Sequence, residues 1–405
     1  MRTKKFAIFL FSLTMIVVLA FPYYQDANAV AKSPQIRQIP ANTIELPAGQ
    51  HPKIEVVFVL DTTSSMSGMI QAAKEKIWSI ASSMASAQNA PEIKMGLVAF
   101  RDRGDAYVTK VIDLSSDLDT MSATLMDFKA EGGGDGPESV NQALYEAVNK
   151  ITWSEDQHTY KVIFLVGDAP PHTDYVNDIQ YPQSLKMAHN KSIVVNAIQC
   201  GQLTITTAKW QQIATLGNGH YFQVEQSGNA VAISTPYDNK LATLSSKLDD
   251  TRLYYGDKEK QKRQQNKVQA AKKLNAKASE QSRARRAIFN STESGKNNFL
   301  GESELVDAIT SGRVDLSSIN QKHLPQALQA MAPEKQKLLL RKKAKQRDEL
   351  QREIKELSEQ RSQHIKQELE AQGGAKDSFD DQIYSTVRDQ ASKKGLVYQS
   401  PSAKY

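Results

Sequence analysis

Short apolar runs alternate with amphipathic stretches from residue 53 to about residue 250. The run from Val56 to Leu60 is apolar throughout and stops at Asp61. Such runs predict strands over 54–60, 93–101, 107–113, 160–167, 192–199 and 220–224. Helical periodicity between them predicts helices over about 67–87, 118–130, 137–151, 180–190, 206–216 and 229–250. Strands alternating with helices imply βαβ units, hence an α/β fold with a doubly wound, mostly parallel, Rossmann-like sheet. Strands as unbroken as VIFLV, residues 162–166, fit a sheet covered on both faces. The segments 93–101 and 107–113 are joined by only a short polar loop, which predicts one antiparallel strand at an edge.

The pattern changes after Thr251. Residues 251–298 carry 13 Lys and Arg against 4 Asp and Glu, although the whole chain has a net charge of only +6. Few core-forming residues lie there, so the stretch reads as a basic linker or solvated helix. Its functional alternative is a basic arm touching an anionic envelope surface. Nucleic acid is disfavoured, because no aromatic residues interleave with the cations and the chain begins with an export-like leader. Residues 299–331 read as short helices, and a long helix follows from Pro333 to about Gln372. Leu350, Ile354 and Leu357 keep a 4–3 spacing that Arg361 and His364 break. That favours a short coiled coil, or a helix folded back on its neighbours, over a long zipper. A last amphipathic helix over 378–395 places Phe379, Ile383 and Val387 on one face. The expected organisation is a lead-in over 30–52, an α/β domain over 53–250, the basic stretch, and a helical region over 299–405.

The N-terminus reads as a secretory signal peptide, residues 1–29. Arg2, Lys4 and Lys5 precede the apolar run Phe6 to Ala20, and Ala27-Asn28-Ala29 offers a small-x-small cleavage site. Export to the periplasm or the medium is the expectation. No later stretch approaches the ~20 apolar residues of a membrane-spanning helix. The single cysteine, Cys200, excludes a disulfide framework and reads as a buried strand residue.

Three loops are expected at the carboxyl ends of the strands, where open α/β sheets bind ligands. They are DTTSS from Asp61, EGGGDGPES over 131–139, and GDAPPH over 167–172. Each carries an aspartate: Asp61, Asp135 and Asp168. Together with the hydroxyls of Thr63 and Ser65 they form an all-oxygen set, suited to a hard divalent cation, Mg2+ or Ca2+. Residues 61, 63 and 65 alternate, so in an extended loop they point the same way. Glycines 132–134 allow close backbone approach.

VFVLDTTSSM, GLVAFRD over 96–102, GGGDGPES and LVGDAPPH together resemble the von Willebrand factor type A domain over about 53–250. The resemblance implies a metal-ion-dependent adhesion site. Asp61, Thr63 and Ser65 match its first loop, with Thr63 in a usual serine position, and Asp168 matches its third. Asp135 stands where a threonine is usual, as in bacterial members with GGGD-x-PE loops. The helical extension is similar to regions that follow such domains in exported bacterial proteins. The implied role is non-enzymatic binding of a protein partner whose carboxylate completes the metal shell. A structural or envelope-assembly protein working through its C-terminal helices is the alternative. A Thr at position 135 is expected to weaken metal affinity, because Asp135 adds negative charge; unchanged affinity of Asp135→Thr in isothermal titration would refute that.

A hydrolase reading is weaker. Haloacid-dehalogenase-like phosphatases also end a first strand in an aspartate, but they need a second Asp as acid and base where this chain has Thr63. Arg103-Gly104-Asp105 spells a cell-attachment signal, yet Gly-Asp is ordinary turn chemistry in a hairpin loop.

Overall fold

The computed structural model describes residues 52–134, 136–227, 233–371 and 379–398. Contacts divide the chain into Met1–Thr43 and Ile44–Tyr405. The first unit, with the expected leader, lies outside the described residues, and every described element belongs to the second.

Six strands form one sheet: β1 Lys53–Asp61, β2 Glu92–Phe100, β3 Thr109–Ser115, β4 Tyr160–Gly167, β5 Ile193–Cys200 and β6 Asn218–Val224. Their order is β3-β2-β1-β4-β5-β6. All neighbours pair in parallel except β3, which runs antiparallel to β2 at one edge. The doubly wound expectation, with its antiparallel edge strand, is therefore what the chain adopts.

The strands are buried on both sides, as their unbroken apolar sequences require. On β1, Ile54, Val56, Phe58 and Leu60 face one core while Val57 and Val59 face the other. The first core is covered by α1 Ser67–Ala85 and α2 Leu118–Leu125, the second by α3 Val140–Asn149, α4 Tyr181–Asn190 and α5 Thr204–Leu216. Three helices are shorter than their periodicity predicts; the one expected from 229 starts only at Asp238, whose Oδ2 accepts from Thr235 N–H at 2.7 Å while residues 233–237 stay non-helical. The chain leaves α2 after Leu125, and the carbonyls of Phe128 and Lys129 then accept from Lys74 Nζ at 2.7 Å and Arg101 Nη2 at 2.8 Å. Residues 137–139 stay out of α3 because Glu138 forms a β-bridge with Pro171.

The helices after the sheet are α6 Asp238–Asp249, α7 Lys258–Lys277, α8 Glu280–Asn290, α9 Lys296–Leu300, α10 Leu305–Thr310, α11 Gln326–Gln329, α12 Pro333–Ala371 and α13 Phe379–Ala391. Polar caps start three of them: Asp257 accepts from Lys260 N–H at 2.9 Å, Ser279 from Ser282 N–H at 3.0 Å, and Glu304 from Asp307 N–H at 2.7 Å. The basic stretch packs against the sheet domain. Ala270, Leu274 and Phe289 enter the first core, and Lys267 bonds Asp117 at 2.7 Å. Buried Arg286 grips Asp119 from Nε at 2.6 Å and Nη2 at 2.7 Å, and reaches Asp249 at 2.9 Å. The spacing of Leu350, Ile354 and Leu357 is satisfied inside the chain, where α12 lies along α6 and α8 in a shared cluster with Leu241, Leu248 and Ala287. The residues that break the spacing have partners. Arg361 meets Asp238 at 2.8 Å, and Tyr237 packs edge-on to His364.

Helix α13 returns to the sheet. Ile383, Val387 and Ala391, with Leu396 beyond, belong to the same core as β1. Gln390 meets Tyr160 Oη at 2.6 Å and Asn196 at 2.7 Å, satisfying three buried polar groups. Ile383→Val should therefore lower the stability of the whole sheet domain by about 0.5–1.5 kcal/mol. Chemical denaturation of the full chain, read on both far-ultraviolet dichroism and tryptophan fluorescence, would show one shifted transition.

Candidate metal centre

Strand β1 sits where the connections change direction, with β2 on one side and β4 on the other. A crevice forms beyond the carboxyl ends of strands at such a point. Asp61 ends β1 there and is only 1% exposed. Its Oδ1 accepts from Thr63 N–H at 2.9 Å and Thr63 Oγ1 at 2.6 Å. Thr63 Oγ1 lies 3.3 Å from Ser65 Oγ, so the alternating oxygens of DTTSS do converge. Thr62 points away, bonding the Phe100 carbonyl at 2.9 Å and Tyr107 Oη at 2.7 Å.

The third loop follows β4. A side chain at Gly167 would come within 3.2 Å of Asp61 Oδ2, so that glycine lets β4 pass close to the acid. Asp168 comes next, and its Oδ2 accepts from Gln226 Nε2 at 2.6 Å. The same nitrogen bonds the Ser65 carbonyl at 3.0 Å, tying the first loop to the third. Thr206 Oγ1 holds the Asp168 carbonyl at 2.9 Å.

The second loop is fixed by its glycines and by Asp105. Gly132 and Gly133 have φ of +80° and +77°, where other residues are strained. Asp105 Oδ2 accepts from Gly133 N–H at 3.0 Å and Asp102 N–H at 3.1 Å. The aspartate of Arg-Gly-Asp is thus engaged internally. Ser64 Oγ bonds the Gly132 carbonyl at 2.8 Å and joins this loop to the first. Asp135 lies outside the described residues.

Glu138 is a site residue that the sequence pattern did not single out. Its N–H bonds the Pro170 carbonyl at 2.9 Å, and its own carbonyl accepts from His172 N–H at 3.1 Å. These bonds make the bridge that keeps Glu138 extended and buried, at 4% exposure. No local signal marked it, since Pro137 restricts only the residue before it and the bridge partner Pro171 lies far along the chain. Beside it, Asp102 accepts from Ser139 Oγ and from Tyr175 Oη, both at 2.8 Å. His172 stacks on Tyr175 and bonds Asp174 through Nδ1 at 2.8 Å. Its Nε2 lies 3.3 Å from Asp102 Oδ2 without making a hydrogen bond.

The electrostatics are one-sided. Burial pushes the Asp61 carboxyl up to about 7, against the lowering effect of the Thr63 bonds, and the charge of Asp168 adds to the rise. Burial also pushes Glu138 up to about 9, reinforced by Asp61, Asp102, Asp105 and Asp168. Asp61 Oδ2 and Glu138 Oε2 are buried without any hydrogen-bond partner. Unpaired buried oxygens of this kind cost several kcal/mol unless a proton or a cation meets them. Among the described residues, no three His, Cys, Asp or Glu side chains are close enough to cage an ion by themselves. The hydroxyls of Thr63 and Ser65 stand beside Asp61.

A family model described as the von Willebrand factor A domain matches residues 55–235. The chain carries a von Willebrand factor A domain. No curated protein sequence matches it. Among solved structures, this chain is similar to proximal thread matrix protein 1 from the mussel byssus, at 16% identity and a TM-score of 0.34. That match covers 44% of this chain and 42% of the mussel chain. A second structure of the mussel protein, with a zinc-occupied MIDAS motif, matches at 18% identity over 43% of this chain and 42% of that one, with a TM-score of 0.33. The SpRpn10 VWA domain matches at 15% identity over 43% of this chain and 89% of that one, also with a TM-score of 0.33. Domains of the A family are in general binding and adhesion modules. In this A domain, α7, α8 and α13 all lie beyond the matched residues and still contribute to the first core.

Proposed function

We propose that the three loops hold a divalent cation, Mg2+ or Ca2+, and that the protein binds a protein partner by presenting that ion to an acidic side chain. The observation that carries this reading is the partnerless, fully buried Oδ2 of Asp61 beside other acids. Asp61, Thr63, Ser65, Asp135 and Asp168 would supply oxygens, and a bound cation would draw the proton off buried Glu138. The ion would act as a Lewis acid that attracts one outside carboxylate. Exposed apolar side chains stand on the same end of the sheet: Val176 after β4, and Leu203 and Ile205 after β5. They would give a docking acid an apolar surround, as the centre of an interface commonly has.

The hydrolase alternative gains nothing here, since Thr63 uses its hydroxyl to bond Asp61. Work through the C-terminal helices remains the second reading, but most of their apolar faces are already covered by the sheet domain and by each other. Export, suggested by the leader, belongs to the same proposal. Isothermal titration of Mg2+ and of Ca2+ into the full chain is the test. One ion bound per chain is expected, together with capture of a glutamate-bearing peptide that chelator abolishes. A chain that binds neither ion overturns the reading.

A further inference from the structure

The first turns of α12 carry charge that the rest of the chain leaves unmatched. Residues 333–345 hold six Lys and Arg against one acid, Glu334. The inward face of these turns is committed. Gln336 Nε2 bonds the Leu328 carbonyl at 2.9 Å, and Leu340 joins Leu305, Leu324 and Leu328 in a buried cluster. The opposite face is thereby held toward solvent. At its centre is Leu338, which is 68% exposed. At ~3.6 residues per turn, Lys335, Arg341 and Lys342 lie within about 60° of Leu338 around the helix. All three are exposed. Among the described residues, none of these three side chains has an ion pair or a hydrogen bond. Their neighbours are engaged: Lys337 pairs with Glu334 at 3.2 Å, Lys343 bonds the Asp250 carbonyl at 2.7 Å, and Lys345 lies 3.9 Å from Glu349. Helix α7 exposes cations too, but its exposed residues include nothing apolar beyond Ala276.

A lone exposed leucine is ordinary. One ringed by free cations on a packed helix selects among partners. A soluble polyanion would engage the charges and leave Leu338 in water. A protein partner is disfavoured by size: the face is about 15 Å long and ~10 Å across, roughly 150 Å2, against the ~800 Å2 that each side of a stable protein interface buries. A bilayer surface has no such area requirement and uses both features. We propose that the start of α12 docks the protein on an anionic phospholipid surface, with Lys335, Arg341 and Lys342 against headgroup phosphates and Leu338 in the acyl boundary. Each cation near such a surface strengthens binding roughly fivefold, so three give about a hundredfold. One apolar side chain adds to this without making the attachment permanent. Binding is therefore reversible and weakened by salt. It makes no use of the metal centre.

The test reads position 338 itself, because the leader, with Arg2, Lys4 and Lys5 ahead of an apolar run, would also bind anionic vesicles. Cys200 is buried, so a thiol placed at 338 by Leu338→Cys can be labelled selectively with an environment-sensitive dye. The full chain is titrated, in chelator, with vesicles of equal parts phosphatidylglycerol and phosphatidylcholine, and with phosphatidylcholine alone. The dye should shift to the blue and become shielded from aqueous iodide on the anionic vesicles only. A dye on exposed Gln367, introduced by Gln367→Cys further along α12, should not respond. Adding Lys335→Gln and Lys342→Gln, both at exposed sites and both to a good helix former, should raise the lipid concentration needed by roughly twentyfold. A dye at 338 that responds no more than one at 367 overturns the proposal, as does a lipid requirement unchanged by the two glutamines. An equal response to soluble polyphosphate would assign the face to polyanions and overturn it too.

Discussion

Replacing Arg286 with methionine should destabilise the protein by about 3–5 kcal/mol, the usual consequence of stranding a buried charge. Arg286 is 1% exposed and bonds both Asp119 and Asp249. Methionine keeps the length of the stem but leaves Asp119, which is wholly buried, with only Lys267 at 3.4 Å and Arg252 at 3.9 Å. The pH dependence distinguishes this cause from lost packing. Burial pushes the Asp119 carboxyl up, but the charges of Arg286, Lys267 and Arg252 outweigh it and hold the group well below the usual carboxylate range. Its folded pKa is thus depressed, and the stability it confers is present above the unfolded value of about 4 and lost as pH falls below that. The wild-type denaturation midpoint should therefore drop on acidification below about pH 4. In Arg286→Met this acid loss should shrink, because less of the counter-charge remains. Adding Asp119→Leu to Arg286→Met should recover part of the deficit, since removing both members of a buried pair is far milder than removing one.

Asp61→Asn should abolish metal binding and at the same time stabilise the metal-free protein at neutral pH. The first effect should exceed the ~10–100-fold that loss of an outer-shell partner costs. The second follows from the pKa. Asp61 is raised from 3.8 to about 7 by burial. A raised folded pKa means that the group is best tolerated below its unfolded value and increasingly costly as pH rises through about 7. Metal-free wild type should accordingly lose stability between about pH 4 and pH 7, by up to about 4 kcal/mol at ~1.36 kcal/mol per unit. Asparagine cannot ionise, and its Oδ1 can still accept from Thr63. Thermal melts in chelator at about pH 4 and pH 8 should show the variant nearly level with wild type at the lower pH and well above it at the higher. Added Mg2+ or Ca2+ should raise the wild-type midpoint only. If the variant were less stable than metal-free wild type at pH 8, Asp61 would not be a strained acid.

Much of the sheet was legible because its strands are continuous apolar runs. The runs at 54–60 and 160–167 appear as β1 and β4 within one residue at each end. The clustering of Asp61, Thr63, Ser65 and Asp168 was legible for a topological reason, since parallel strands send all their carboxyl ends the same way. Glu138 was not, because its burial depends on a bridge to Pro171 that lies 33 residues away and leaves no periodic trace. The basic stretch misled for a similar reason. Lys267 and Arg286 read as solvated, yet their partners Asp117 and Asp119 lie 150 and 167 residues upstream. Composition reports charge but not who neutralises it. The face of Ile383 and Val387 was readable as buried, while the surface that buries it was not.

The return of α13 to the first strand has a consequence for how the chain is made. Ile383, Val387 and Leu396 share a core with Ile54 and Val56, more than 300 residues earlier. Every residue from Ile54 to Leu396 must have left the ribosome before that core can close. Pairing across such separations slows folding and keeps a nascent chain open for longer. Any machinery that needs an unfolded client, whether a chaperone or a secretion channel, would find its longest window of opportunity in this arrangement.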